Sequence, residues 1–384
     1  MVTKGDMVYA WTPDSGLLEK AECGGAVTAL LKSALENKVV DAVLAIRKGV
    51  DLYDAVPTII TDPKEIGGSA GSLHCGTTLV SKLIVKYLGG ASNQKLGVTV
   101  KGCDLMGILE LAKRNQLKLD NLLLFGVNCG GTVPPVPARK MITAKFGVDP
   151  ADVVKEEIDK GQFIIMTKDG QHKGISIDEL EEEGYGRRSN CRRCLYKVPR
   201  QADLACGNWG VIGDKAGKAT FVEFCSEKGA KLVDAAVKAG ALATSSADPK
   251  GIAIRGKVEN AMFKLGEKWR KHDFSAISEN LWDVIRDETS RCIKCYSCID
   301  NCPVCSPIKI ELTSGTTMVP VGYLPPSPMF HMRRFAHISD SCINCGQCEE
   351  LCPMEIPLAL FSHAVRVEAD ATYHPKLGSA PYKN

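Results

Sequence analysis

Residues 292–303 read Cys-Ile-Lys-Cys-Tyr-Ser-Cys-Ile-Asp-Asn-Cys-Pro, and residues 342–353 read Cys-Ile-Asn-Cys-Gly-Gln-Cys-Glu-Glu-Leu-Cys-Pro. Both stretches have the spacing C-x2-C-x2-C-x3-C, and a proline follows the last cysteine. The chain has 17 cysteines, nine of which lie between Cys292 and Cys352. An odd total argues against a pure disulfide framework. The two stretches therefore predict a small, cysteine-dense C-terminal domain that binds metal.

This spacing is that of the bacterial ferredoxin run for a [4Fe–4S] cluster, in which the fourth cysteine of each run serves the other cluster. Three thiolates two residues apart can surround one face of a cluster, and the proline turns the chain so that the fourth reaches across. Zinc is the alternative, but zinc sites typically use pairs of C-x2-C. Cys305 is then spare and is predicted to be buried. The predicted ligands of one cluster are Cys292, Cys295, Cys298 and Cys352, and those of the other are Cys342, Cys345, Cys348 and Cys302.

Composition excludes several classes of protein. The chain has 384 residues and a formal net charge of +3, which is too balanced for a protein that mainly binds nucleic acid. Its apolar runs are far shorter than the ~20 residues that a membrane helix needs. Residues 1–6 lack the apolar stretch of a secretory signal. We therefore expect a cytoplasmic protein with no membrane span and no nucleic-acid partner, in a reducing compartment where cysteines bind metal.

The predicted organisation has four parts: an α/β (α+β) domain at 1–240, a linker region with a helix at 241–280, the two-cluster domain at 281–365 and a C-terminal tail at 366–384 that is irregular after Ala369. In the first part, strand-like runs at Leu96–Val100 and Leu122–Val127 flank a helical pattern at 104–114. Such alternation is typical of a parallel or mixed sheet with helices on its faces. Residues 241–249 are predicted to be a loop, and residues 306–340 a docking loop or a plain surface loop.

Four cysteines of the first domain are candidates for a third metal site. Cys103 and Cys129 each follow a strand-like run, in Val-Lys-Gly-Cys-Asp and Gly-Val-Asn-Cys-Gly-Gly. The carboxyl ends of neighbouring strands face the same crevice in open α/β sheets. Cys191 and Cys194 form a C-x2-C pair that would complete four thiolates. The spacing alone leaves open a third cluster, a zinc ion or a reactive cysteine pair.

Three glycine-rich segments could present backbone N–H groups to a phosphate. None of them is G-x-G-x-x-G, and the sequence contains no G-x-x-x-x-G-K-[ST]. A nicotinamide Rossmann site and an NTPase are therefore unsupported. The segments are Cys-Gly-Gly-Ala-Val-Thr at 23–28, Gly-Gly-Ser-Ala-Gly-Ser at 67–72 and Cys-Gly-Asn-Trp-Gly at 206–210.

The order of these motifs gives a specific resemblance. Cys-Gly-Gly-Ala-Val-Thr-Ala-Leu-Leu, Lys-Gly-Cys-Asp, Gly-Val-Asn-Cys-Gly-Gly and Cys-Arg-Arg-Cys followed by Gln-Ala-Asp-Leu-Ala-Cys-Gly-Asn-Trp-Gly occur in turn. Together they resemble the β-subunit family shared by coenzyme F420-reducing hydrogenase and F420-dependent formate dehydrogenase, over roughly residues 15–225. The appended two-cluster domain is similar to that of the formate dehydrogenase members.

The resemblance implies an FAD and a third [4Fe–4S] cluster in the first domain, with the deazaflavin coenzyme F420 as the hydride-exchanging substrate. It implies Cys103, Cys129, Cys191 and Cys194 as the cluster ligands. The chain departs from many relatives at Leu195-Tyr196-Lys197, where an Asp would follow the C-x2-C pair, and Cys23, Cys75 or Cys206 remain possible substitutes in the ligand set. The residues that it implies for FAD are Gly24, Gly25, Val27, Thr28, Ser69, Ala70, Ser72, Gly207, Asn208 and Gly210.

By this resemblance, electrons pass from a partner through the two C-terminal clusters and the third cluster to FAD, and leave as hydride on F420. The implied partner is a formate dehydrogenase α subunit with molybdenum or tungsten, and a heterodisulfide reductase complex is a possible further one. No catalytic side chain is predicted, because the cofactors carry the chemistry. Arg187, Arg188, Arg192 and Arg193 could attract the coenzyme's anionic tail, stabilise a reduced cluster or form a solvated face. The alternative functions are an electron-transfer adaptor without flavin, and a flavoprotein that serves another acceptor.

Overall fold

The computed structural model describes residues 3–159, 161–309 and 328–373. The strands are β1 (Met7–Trp11), β2 (Ala42–Lys48), β3 (Ala55–Ile60), β4 (Leu96–Val100), β5 (Leu122–Val127), β6 (Val153–Asp159), β7 (Gln162–Thr167), β8 (His172–Ser176), β9 (Leu204–Gly207), β10 (Thr220–Phe224) and β11 (Ala243–Ser246). The helices are α1 (Ser15–Lys20), α2 (Ala26–Glu36), α3 (Ser81–Leu88), α4 (Gly102–Lys113), α5 (Pro135–Met141), α6 (Ile177–Glu182), α7 (Ser189–Arg192), α8 (Glu227–Lys238), α9 (Pro249–Ser278), α10 (Leu281–Ser290), α11 (Ser297–Asp300), α12 (Pro328–Ile338), α13 (Gln347–Glu350) and α14 (Leu358–Tyr373).

The large sheet is mixed and has the strand order β11-β1-β10-β9-β5-β4-β2-β3, while β6, β7 and β8 form a small antiparallel sheet. Strands β2, β4, β5 and β9 are parallel neighbours. Strand β10 pairs antiparallel with both β9 and β1, so β1 points the same way as β9. The carboxyl ends of β1, β4, β5 and β9 therefore lie along one edge, which we call the carboxyl edge.

Each face of the large sheet is covered by its own pair of helices. Helices α2 and α8 cover one face, where Leu30, Phe125 and Val222 are buried. Helices α3 and α4 cover the other, where Ile84 and Val98 are buried. Burial of apolar side chains on both faces is what the predicted strand–helix alternation requires. The predicted mixed α/β class is confirmed.

Helix starts in this domain follow from local sequence. Ser226 accepts a hydrogen bond from the Gly229 N–H at 3.0 Å and caps α8. Asp248 accepts one from the Lys250 N–H at 2.7 Å and caps α9, whose first residue is Pro249. Both caps occupy otherwise unpaired N–H groups, and proline is suited to the first helical position. Helix α9 has 30 residues and leads from the sheet to the cysteine-rich part.

Strands β4 and β5 have the predicted bounds, but the prediction of a loop at 241–249 is wrong in part. Strand β11 lies there and pairs with the edge of β1, from Val8 opposite Ser246 to Trp11 opposite Ala243. Its small polar side chains carry no alternating apolar pattern, so its strand conformation depends on the backbone hydrogen bonds that β1 offers. Strand β1 itself was not predicted.

The C-terminal part has its own core, in which Ile299, Phe330, Phe335 and Phe361 are buried. Helix α14 continues to Tyr373, so the prediction of irregular structure after Ala369 is wrong for residues 370–373. Residues 374–384 lie outside the described residues, as do 310–327 of the predicted docking loop, and 328–338 form α12. In the ranges that the structure describes, no helix is long and apolar enough to cross a membrane.

Candidate functional site

Cage A is the set Cys292, Cys295, Cys298 and Cys352, and these four side chains line one pocket. Lys294 and Tyr296 have left-handed φ values of 51° and 62°, so the chain coils tightly between the first three cysteines. The Lys294 N–H donates to Cys292 Sγ at 3.4 Å. Cys352 comes from the second run, and the sequence predicts that the fourth cysteine of each run joins the first three cysteines of the other.

Cage B is the set Cys342, Cys345, Cys348 and Cys302, which line a second pocket. Its loop repeats the geometry of cage A, with left-handed φ values of 52° at Asn344 and 75° at Gly346. Cys302 comes from the first run. Cys305, which is left over, is fully buried as predicted.

Buried cations lie beside both cages. Arg334 on α12 is 1% exposed, and its Nη2 donates to Cys298 O at 3.3 Å. Its Nε and Nη1, like the Lys294 Nζ in cage A, find no hydrogen-bond partner in the parts of the chain that the structure describes. Burial lowers the pKa of Arg334, but the thiolates of Cys298 and Cys348 outweigh burial and raise it. Buried cationic nitrogen atoms without protein partners fit a negatively charged group, such as a cluster held by four thiolates.

Cage C is the set Cys103, Cys129, Cys191 and Cys194. Cys103 lies in the first turn of α4, directly after β4, and Cys129 follows β5. The Cys129 N–H donates to Lys197 O at 2.9 Å, which brings the segment after α7 to the carboxyl edge. The Cys194 N–H donates to Cys191 O at 3.3 Å. Neighbouring parallel strands thus bring Cys103 and Cys129 to one crevice, and α7 adds the pair.

The four thiols of cage C are close enough to affect each other's ionisation. Burial raises the pKa of Cys103, and charged Cys129 and Cys194 would raise it further. Burial raises the pKa of Cys129 and Cys194 too, and Cys191 adds to both shifts. Mutual repulsion of this kind is relieved when the thiolates share a metal centre, because metal binding removes the protons.

Two lysines beside cage C, a partly buried Lys101 and a buried Lys197, were missed by the sequence analysis. Lys101 Nζ lies 2.7 Å from Asp104 Oδ2 and donates to Thr78 O at 3.1 Å. Lys197 Nζ donates to Cys191 O at 3.1 Å, and this side chain is 2% exposed. Both lower the pKa of Cys129, after burial has raised it. The available signal was their position, two residues before Cys103 and three after Cys194.

The possible substitute cysteines lie elsewhere. Cys206 belongs to the core under α2 and α8, whereas Cys103 packs against the core on the other face of the sheet. Cys23 Sγ lies 4.0 Å from Thr220 Oγ1. Cys75 packs against the small sheet, and burial together with Glu156 raises its pKa. In the described residues no group of three or more His, Cys, Asp or Glu is placed to hold a single metal ion.

The residues implied for FAD fall into three segments, and only some of them are accessible. Gly24, Gly25 and Thr28 are buried at the start of α2, and Val27 is partly exposed. Ser69 and Ala70 are partly exposed, and Ser72 is exposed. Gly207 and Gly210 are buried, and Asn208 between them is exposed.

Packing within the chain accounts for the buried glycines. A Cβ on Gly24 would stand 2.6 Å from Ala219 Cα, and one on Gly207 would stand 1.1 Å from Asn128 Oδ1. These contacts also hold the first and third segments at the carboxyl edge. No side chain caps the start of α2, so its first N–H groups suit an anionic group. Burial raises the pKa of Glu22, which precedes α2, but His74 and Ser72 of the second segment outweigh burial and lower it.

The arginines around the C-x2-C pair do not form a solvated face. Arg187 is buried and forms a two-point ion pair with Glu181, at 2.5 and 3.0 Å. Arg193 Nη1 lies 2.7 Å from Asp273 Oδ2. The Arg192 guanidinium lies 4.3 Å from the centre of the Trp269 ring. These three side chains are engaged within the protein, which disfavours a role in attracting a coenzyme tail.

Comparison with known proteins gives the family. Residues 7–85 and 93–250 match the N-terminal and C-terminal parts of the coenzyme F420 hydrogenase/dehydrogenase β subunit, and residues 288–356 match a 4Fe-4S dicluster domain. The F420-dependent formate dehydrogenase subunit β of Methanocaldococcus jannaschii is 50% identical over 92% of both chains. The F420-dependent formate dehydrogenase 1 subunit β of Methanococcus maripaludis is 51% identical over 94% of this chain and 92% of that protein.

A solved structure has the same fold over most of its length. A chain of the F420-reducing [NiFe] hydrogenase complex from Methanosarcina barkeri matches with a TM-score of 0.60 and 21% identity, covering 72% of this chain and 96% of that one. The resemblance stated from the motifs is therefore confirmed. The chain belongs to the coenzyme F420 hydrogenase/dehydrogenase β-subunit family.

Proposed function

We propose that the chain acts as the β subunit of an F420-dependent formate dehydrogenase, an oxidoreductase that works within a larger complex. The observation that carries this proposal is identity of 50–51% with two such subunits over more than nine tenths of the chain. The match to a 4Fe-4S dicluster domain supports a role in electron transfer.

The proposed cofactors are three [4Fe–4S] clusters and one FAD, with coenzyme F420 as the substrate. Cages A, B and C each offer four cysteines and at least one buried cation, which suits a negatively charged cluster. When bound, FAD supplies the conversion between single-electron and hydride transfer. The uncapped start of α2 and the exposed Ser72 and Asn208 are the groups we propose to hold it, while Gly24 and Gly207 keep these segments in place.

The proposed partner is a catalytic α subunit that carries molybdenum or tungsten and oxidises formate. Docking of the assembly on a heterodisulfide reductase complex and a cytoplasmic location are further parts of the proposal. The names of the two similar β subunits support the α partner, since a β subunit implies a larger enzyme.

The test is anaerobic reconstitution of the chain with iron, sulfide and FAD. We expect about 12 iron atoms per chain for three [4Fe–4S] clusters, bound FAD, and reduction of a viologen dye by reduced F420 but not by NADH. About eight iron atoms without FAD and without F420 turnover would overturn the proposal in favour of an electron-transfer adaptor. Full content of iron and FAD, with dye reduction by a donor other than reduced F420, would instead favour a flavoprotein that serves a substrate other than F420.

A matched pair of variants tests the flavin segment. Asn208→Asp adds a negative charge beside the proposed phosphate-binding groups, whereas Asn93→Asp adds the same charge at an exposed position after α3. We expect at least a tenfold loss of FAD affinity in the first variant and none in the second, with iron content unchanged in both. Equal affinity in the two variants would place FAD elsewhere.

A further inference from the structure

Cages B and C face each other across a polar contact between the two domains. Asn190 Nδ2 donates to Asn344 O at 3.1 Å, and Asn344 Nδ2 donates to Asn190 O at 2.9 Å. Each asparagine is next to a cysteine of its own cage, Cys191 in cage C and Cys345 in cage B. Gly346 fits closely against this contact, because a Cβ there would stand 2.3 Å from Asn190 Oδ1.

Arg188 lies in the same contact. Its side chain is 7% exposed, and its Nε donates to Glu350 Oε2 at 3.0 Å across the domain boundary. A Cβ on Gly346 would stand 2.7 Å from Arg188 Nη2. This Nη2 atom is buried and finds no hydrogen-bond partner among residues 3–159, 161–309 and 328–373.

Arg188 lies beside segments of both cages. Arg188 is the N-cap residue of α7, which carries Cys191, and its Nη2 packs against Gly346, the residue after Cys345. Arg188 is thus a buried cation that pairs with Glu350 and lies between cysteine-bearing segments of cages B and C.

We propose that Arg188 is a positioning residue shared by cages B and C, which fixes the two cages side by side and raises the reduction potentials of the clusters that they hold. This inference rests on the proposed function, since it requires clusters in both cages. The inference also gives the spatial sequence of the cages, in which cage B lies between cage C and cage A.

The physical basis is the charge of a thiolate-bound cluster, which becomes more negative when the cluster is reduced. A nearby cation favours the reduced form, and it does so more strongly when burial removes the screening by water. Arg334 provides a parallel within the molecule, because it interacts with Cys298 of cage A and with Cys348 and Cys302 of cage B. Arg334 therefore lies beside cages A and B, whereas Arg188 lies beside cages B and C.

The experiment compares Arg188→Gln with Arg188→Lys and with Arg286→Gln, which removes a charge from an exposed position on α10. The reconstituted full chain is titrated with a mediator while EPR follows each cluster, and a Cys129→Ala variant identifies the signals of cage C. In Arg188→Gln we expect the ratio of reduced to oxidised cluster at fixed potential to fall about tenfold in cages B and C, or ~59 mV for a one-electron couple. Cage A should be unchanged.

Arg188→Lys should recover part of the shift because it keeps the charge, and Arg286→Gln should cause none. Spin coupling between the signals of cages B and C should weaken in Arg188→Gln. Unchanged potentials in all three cages, or an equal shift in cage A, would overturn the inference while three clusters remain bound. Loading of fewer than three clusters in the unmodified chain would instead contradict the proposed function.

Discussion

Cages A and B differ from cage C in how far apart their cysteines lie along the chain. Three cysteines of cage A fall within residues 292–298, and three of cage B within 342–348. The cysteines of cage C stand at positions 103, 129, 191 and 194, and two parallel strands bring the first two together. Local loop geometry builds most of the first two cages, whereas the sheet builds the third.

The surroundings of the cages differ in the same way. Cages A and B share the separate core of the C-terminal part, including Phe330 and Phe361. Cage C belongs to the carboxyl edge of the large sheet, and part of the cage B loop packs against that domain through Ile343. A change that disturbs the sheet should therefore affect cage C first, and a change in the contact between domains should affect cages B and C together.

Removal of a cage C ligand should have the largest effect. Cys129→Ala should lower the iron content from about 12 to about 8 atoms per chain and abolish F420-dependent dye reduction, because cages A and B keep all their ligands. The matched control is Cys225→Ala, in which a cysteine outside the cages is removed. Iron and labile sulfide analysis checks the result. Retention of all the iron in Cys129→Ala, or its loss from all three cages, would contradict the independence of cage C.

The contact between the domains can be broken at a glycine. Gly346→Ala combines a left-handed φ of 75° with a Cβ that collides with Asn190, so we expect a loss of about 3 kcal/mol in the free energy of unfolding. Gly147→Ala is the control, because it has a φ of 62° and no atom within 4 Å of its Cβ, and should lose only ~1 kcal/mol. Guanidinium unfolding of the loaded chain measures both. Equal losses would show that backbone strain alone matters at Gly346.

Acid should weaken the packing of the C-terminal part. Burial, together with Arg193, Arg270 and Arg366, lowers the pKa of His363 to about 3, so this side chain stays neutral when folded and is protonated only in the unfolded chain below about pH 6.5. The stabilisation that neutral His363 gives to the folded chain is therefore complete above pH 6.5 and is lost as the pH falls. Between pH 7.5 and 5 the free energy of unfolding should fall by about 2 kcal/mol from this group.

His363→Leu should remove this part of the pH dependence, as measured by unfolding at the two pH values. His74 in the first domain gives the opposite sign. Burial lowers the pKa of His74, but Glu22 outweighs burial and raises it. His74 therefore adds to the free energy of unfolding at low pH, and this stabilisation is lost as the pH rises. If the free energy of unfolding of His363→Leu fell between pH 7.5 and 5 as much as that of the unmodified chain, His363 would have to be protonated in the folded chain at pH 5.

The smallest effect should come from the paired asparagines. Asn190→Ala and Asn344→Ala each remove one side-chain hydrogen bond to the backbone oxygen of the other residue, so each should lose about 1 kcal/mol in the free energy of unfolding. Asn93→Ala is the control, because Asn93 is exposed and should change the free energy of unfolding by less than ~0.5 kcal/mol. Equal values for Asn190→Ala, Asn344→Ala and the control would mean that the two hydrogen bonds contribute nothing across the domain boundary.

Much of the fold was predictable from short-range pattern. Strands β4 and β5 have the predicted bounds because each is a continuous apolar run buried in a parallel sheet. Strand β11 could not be predicted, because its small side chains gain a partner only when β1 lies beside them. The burial of Arg187 and Arg193 could not be predicted from the sequence either. Their acidic partners, Glu181 and Asp273, are brought beside them only in the folded chain.

The sequence by itself determined the family and predicted the two C-terminal cages, because the family motifs and the first three cysteines of each cage lie in short segments whose spacing restricts the chain to a few loop geometries. Only the tertiary structure decided which face of the sheet each remaining cysteine occupies, and that cage B rather than cage A lies next to cage C. Those outcomes depend on strand pairing and on the contact of Asn190 with Asn344, which are 154 positions apart. No local pattern encodes an interaction over that distance, because packing of the whole chain selects it.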